Sequence, residues 1–130
     1  MAAVPSPTVH TASFYTPEHW QGTRYRVSRS HPRGRSSQWE TLPFVYPPRD
    51  LLVAYRGGEM GFDALAAEYL GGLDTGYAEG GPLREWVEGI PALEDFTLLC
   101  FEREGQPCHR RALAGWLLGL APSLVRGNLR

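Results

Sequence analysis

The stretch "FTLLCF", Phe96 to Phe101, is the strongest constraint on the fold. An unbroken apolar run of this length suits a strand buried on both faces, in the middle of a parallel sheet. The segment after it, "CHRRALAGWLLGL", places Leu113, Trp116, Leu117 and Leu120 on one helical face, with alanines and glycines filling much of the rest. That predicts a buried helix. "SLVRGNL" then reads as a last strand. Strand, crossover helix and strand form a βαβ unit, because parallel strands need a long return connection. The expected fold is a small α/β domain with a largely parallel sheet, flanking helices and a C-terminal βαβ unit.

The rest of the chain fits this scheme. Residues 1–10 read as a flexible N-terminus and residues 11–130 as one domain. "TASFYT", Thr11 to Thr16, predicts a short strand stopped by Pro17. "TRYRVSRS", Thr23 to Ser30, alternates, with Tyr25, Val27 and Arg29 on one face and Arg24, Arg26 and Ser28 on the other. The span 34–48 predicts a long loop held to the body by Trp39, Phe44 and Tyr46. "RDLLVAYRGG" predicts a short helix between Asp50 and Gly57. Phe62, Leu65, Ala66, Tyr69, Leu70 and Leu73 form an apolar stripe, weakened in its last turn by Gly71 and Gly72. Pro82 opens another helix through Leu83, Trp86, Val87 and Ile90.

Composition excludes several function classes. Net charge is −1, which gives no general attraction to nucleic acid or anionic lipid. Every basic residue is arginine, so no lysine serves Schiff-base chemistry. No apolar run approaches the roughly eighteen residues of a membrane span. The opening "MAAVPSPTVH" lacks a basic segment followed by an apolar one, so a cytoplasmic location is expected, with the two cysteines as free thiols.

Both thiols fall in "CFEREGQPCHR". Cys100 closes the apolar strand, while Cys108, His109 and Arg110 open the next helix. Ligands in open α/β sheets bind beyond the carboxyl ends of the strands. A helix start attracts anions and lowers a thiol pKa, and neighbouring histidine or arginine lowers it further. Cys108 is therefore the expected nucleophile or redox centre, with His109 or Glu102 as proton carrier. Cys100 reads either as a buried small hydrophobe or as a ligand contact. Arg29 shares a face with Tyr25 and Val27 and ends its strand, so Arg29 and Arg110 are the expected anion clamps.

Sharper motifs are missing. Cys108 and Arg110 are too close for a tyrosine phosphatase loop. No spaced four-ligand pattern predicts a structural zinc, and there is no P-loop or dinucleotide fingerprint, so neither metal nor cofactor is expected. In "SRSHPRGR", His31, Arg33 and Arg35 read as a basic loop or, with Tyr25 and Trp39, as a nucleic-acid surface.

The motif "LLCFEREGQPCHRRALA" resembles the domain of unknown function 488 family, whose members end a strand in Leu-Leu-Cys-x-Glu and open the next helix with Cys-His-Arg. "VSRSHPRG" is similar to that family's arginine followed closely by proline, and "YPPRDLLVAYRGGEMGFDALAAEYL" to the two-helix insert of its smaller members. Many members carry an aspartate beside the early arginine; here the neighbours of Arg29 are Ser28 and Ser30. The resemblance implies a compact α/β fold with one shared polar site and no particular activity. Two readings follow. One is a small enzyme with a thiol-bearing anion pocket for a phosphate- or carboxylate-containing ligand such as a nucleotide. The other is a non-catalytic module binding nucleic acid or protein through arginines and aromatics.

Overall fold

The computed structural model describes residues 6–103 and 105–130. Five strands form one sheet: β1 (Thr8–Ser13), β2 (Thr23–Arg26), β3 (Glu40–Thr41), β4 (Phe96–Cys100) and β5 (Val125–Leu129). The sheet order is β3-β2-β4-β1-β5, and every pairing is parallel. All five β4 residues are buried, as the apolar run requires. β4 runs between β1 and β2, so the crossover from β4 to β5 passes over β1.

Alternation along β4 divides the interior. Phe96, Leu98 and Cys100 join Val9, Tyr25 and Val27 in the main core beneath the helices α2 (Phe62–Glu79), α3 (Pro82–Glu88) and α4 (His109–Leu120), while α1 (Arg49–Arg56) packs against α2. Leu99 faces the other way with Ala12, Phe14 and Trp39, a smaller aromatic core backed by Trp20 and Phe101. Loops rather than helices cover that side, and the ring of Phe14 lies 4.6 Å from Trp39.

Several expectations shift. Residues 1–5 of the expected flexible terminus lie outside the described residues, but Thr8 to His10 belong to β1, so the domain boundary at residue 10 cuts through a strand. β1 ends at Ser13 because the Ser13 hydroxyl accepts the Tyr15 N–H and the chain turns. The expected loop 34–48 contains β3, whose two residues pair with Tyr25 and Arg26. α2 does not weaken at Gly71 and Gly72. It runs on to Glu79, because Leu73 is buried, Tyr77 packs against the core and the two glycines face solvent. Trp116 is half-buried rather than buried: its Nε1 donates to Asp74 Oδ1 at 2.7 Å, clasping α4 to α2. Leu120 is 37% exposed, outside the core that its stripe predicted.

Candidate thiol and imidazole site

β4 delivers Cys100 to the carboxyl edge of the sheet on the helix-covered face. Cys108 is the N-cap of α4 and His109 its first residue. The turn between them contains Gly105 at φ 88°, a backbone state that glycine adopts without strain. The two cysteines are free thiols, both buried.

His109 organises the cluster. Its Nε2 donates to the Val27 carbonyl at 2.8 Å, which orients the ring. Nδ1 then faces both sulfurs, 3.9 Å from Cys100 Sγ and 3.9 Å from Cys108 Sγ. The Tyr69 ring meets the imidazole edge-on at 5.3 Å, and the Tyr69 hydroxyl donates to the Val45 carbonyl at 2.7 Å. Cys100 Sγ donates to Glu102 Oε2 at 2.9 Å.

These contacts separate the two thiols electrostatically. Burial raises Cys108, but hydrogen bonding to Cys100 and His109, with the charges of His109 and Arg110, outweighs it and brings the thiol down to about 3. Cys100 moves well above the ordinary 9.0, through its hydrogen bond to Cys108, burial, and the negative charges of Cys108 and Glu102. Burial alone lowers His109. The hydrogen bond and charge of Cys108, the bond to Val27 and the charge of Glu102 reverse this and raise it. Cys108 is therefore the more acidic of the two thiols and Cys100 the less, while His109 is drawn toward its protonated form.

A cleft opens onto part of this cluster. Cys100, Glu102 and His109 line it together with Ser28, Arg29 and Arg56. A second hollow continues from Arg29 and Arg56 to Arg49. Arg29 Nε donates to the Pro47 carbonyl at 2.6 Å, which fixes the guanidinium at the rim. Neither Arg29 nor Arg56 has a carboxylate partner among the described residues.

Of the sequence-predicted site residues, the cleft gathers Arg29, Cys100, Glu102 and His109. Cys108 touches the cluster from behind and does not line the cleft, so the sulfur facing the opening is Cys100. Arg110 is elsewhere. It is fully buried, with Nη1 donating to the Glu102 carbonyl at 2.6 Å and Nε to the Arg130 carbonyl at 2.8 Å. The expected ligand clamp is instead a tie between two backbone segments, because the first turn of α4 aims its side chain at β5. Arg56 was missed. It is the last residue of α1, and only the tertiary packing of α1 brings it beside Arg29. Arg35 lies on the loop-covered face, where its Nη2 donates to the Phe14 carbonyl. Tyr25 and Trp39, the expected stacking residues, are each only 7% exposed. Among the described residues no helix is long and apolar enough to cross a membrane.

No family model, curated protein or solved structure matches the chain.

Proposed function

We propose that the protein is a small enzyme that holds a phosphate- or carboxylate-bearing ligand, such as a nucleotide, on Arg29 and Arg56 and acts on it with the thiol at the cleft floor. One observation carries this reading: Cys100, Glu102 and His109 share a cleft with two arginines that lack acidic partners among the described residues. Guanidinium groups match phosphate and carboxylate oxygens in a fixed fork geometry. The likeness of the Cys100-to-Arg110 segment to the domain of unknown function 488 family accords with one shared polar site.

Cys100 is the sulfur that meets the ligand, and Glu102 is its base. The Cys100 proton passes to Glu102, sulfur bonds the electrophilic atom, and the bond to the leaving group breaks with its electron pair. The departing anion stays against the arginines and takes the proton from Glu102. Water then cleaves the sulfur adduct, adding hydroxyl to the transferred group and hydrogen to the sulfur. The Cys108–His109 ion pair is the support behind this centre. It keeps the proton on Cys100 until a ligand arrives, and Val27 fixes its geometry.

Two alkylating reagents test the reading on reduced, metal-free protein. Iodoacetate carries a carboxylate and iodoacetamide does not. Cys100 should react several-fold faster with iodoacetate, inorganic phosphate should suppress that preference, and Arg29→Gln with Arg56→Gln should abolish it. Faster reaction with iodoacetamide in the unaltered protein, or an unchanged preference in the double variant, overturns the anion clamp.

A further inference from the structure

Two side chains at the floor of the cleft and one directly behind it have the geometry of a metal site. Cys100 Sγ, Cys108 Sγ and a ring nitrogen of His109 all lie within 4.8 Å of one another. The imidazole Nδ1 is 3.9 Å from each sulfur. In a tetrahedral zinc centre, with zinc–sulfur near 2.3 Å and zinc–nitrogen near 2.0–2.1 Å, sulfur and nitrogen sit about 3.6 Å apart. Closing the two nitrogen–sulfur separations to that value requires shifts of a few tenths of an ångström, and the sulfurs, within 4.8 Å of each other, close toward about 3.8 Å.

We propose that Cys100, Cys108 and His109 bind a thiophilic divalent cation of the zinc class, with the fourth coordination position open to the cleft. The outer shell supports this assignment. A metal-bound histidine typically donates its other ring N–H to a carbonyl or carboxylate, and His109 Nε2 already donates to Val27. A divalent cation with two thiolates is neutral, which suits a buried position better than an uncompensated charge. Two thiolates and one imidazole are the soft donor set that selects zinc over magnesium or calcium. Three protein ligands with one vacant vertex are also the pattern of zinc sites that carry a water or substrate. Cys100 and His109 line the cleft, so the open vertex faces the space that Glu102 and Arg29 also line.

The site stands on these three side chains and not on the anion reading. Sequence spacing hid it, since only three ligands are present and two of them are adjacent residues. Occupancy makes Cys100 a ligand, so the metal-bound state withdraws it from thiol chemistry and makes cation binding a means of regulating the cleft.

Cobalt(II) is the probe, added to the reduced, metal-free protein. The expected result is one cobalt per chain, with the intense visible bands of a tetrahedral ion and a near-ultraviolet thiolate-to-cobalt charge-transfer band, both erased by one equivalent of zinc. Cys100→Ser and Cys108→Ser should each remove about half of the charge-transfer intensity or all binding, and His109→Gln should weaken binding at least tenfold. Arg29→Gln should leave the spectrum intact. Circular dichroism checks that each variant is folded. A second readout needs no variant: zinc should protect both Cys100 and Cys108 from iodoacetamide in mapped peptides. A weak octahedral cobalt spectrum, or zinc that leaves both thiols fully reactive, overturns the proposal. Loss of metal binding with the iodoacetate preference intact removes only the metal; a full cobalt spectrum without that preference removes only the anion clamp.

Discussion

At Cys100 and Cys108 the same side chain meets opposite fields. Cys108 stands at the N-cap position of α4 beside His109, while Cys100 faces the Glu102 carboxylate and the more acidic Cys108. In metal-free protein, alkylation of the pair should therefore begin at a pH well below the ordinary thiol value of 9.0. In Cys108→Ser the onset for Cys100 should move to the acid side of its own onset in the unaltered protein, since the hydrogen bond and charge of Cys108 that raise it are gone and only burial and Glu102 remain. Matching onsets in the two proteins would mean that the sulfurs do not interact. Stability follows the same charges. The depressed Cys108 contributes stability that is complete above 9.0 and lost as pH falls toward about 3. The raised His109 contributes stability that is complete below 6.5 and lost as pH rises through its folded value. Just above 6.5 the two slopes oppose each other. Below it, of these two, the thiolate slope remains, at most about 1.4 kcal/mol per pH unit. Denaturation curves of Cys108→Ala should show a flatter acid limb than the unaltered protein.

Elements enter the sheet through close backbone contacts that constrain single residues. Gly22, at φ 66°, leads into β2, and a Cβ there would sit 1.8 Å from the Asp95 carbonyl oxygen. That same oxygen accepts the Thr23 N–H at 2.9 Å. Gly22→Ala must both strain the backbone and push the start of β2 from β4, so it should cost more than about 2 kcal/mol in chemical denaturation. A loss under half that figure would show that this turn is free to move. At the opposite edge, the Asn128 N–H donates to His10 Nδ1 at 3.1 Å. Burial lowers the His10 pKa more than Asp95 raises it, and Arg130 lowers it further. The unfolded chain therefore takes up the proton first as pH falls through 6.5, and the β1–β5 pairing loses stability with acid. His10→Gln should remove that share of the acid limb, leaving the share due to Cys108. Elements with strong periodicity were legible in the sequence: β4, the start of α2, and α4 with Cys108 before its first turn. β3 was not, because two residues carry no period. The end of α2 was not either, because glycine propensity is weak beside the burial of Leu73 and the packing of Tyr77.

Across the whole molecule, the sheet brings together residues that are remote in sequence, and this explains which site residues the sequence revealed. Cys100, Glu102, Cys108 and His109 fall within one connection, so local reasoning reached them. Arg56 depends on how α1 packs against α2, and the placement of Arg110 depends on where β5 ends. That arginine joins the loop after β4 to the last strand through the Glu102 and Arg130 carbonyls. Hydrogen bonds to a charged donor contribute about 1.5–3 kcal/mol each, while burying the guanidinium offsets part of that sum. Arg110→Met keeps much of the buried volume and removes both bonds, so it should destabilise the fold by about 2–4 kcal/mol. Arg110→Lys should recover only part of the loss, because a point charge on a flexible stem cannot span two carbonyls as a planar fork does. Glu102 sits on the loop that Arg110 restrains. Its carboxylate should therefore wander from Cys100 in the Met variant, slowing alkylation of Cys100 by both reagents alike and leaving the preference for iodoacetate unchanged. A variant as stable as the parent would show that the tie is dispensable. A selective loss of the iodoacetate preference would instead place Arg110 among the groups that hold the anion.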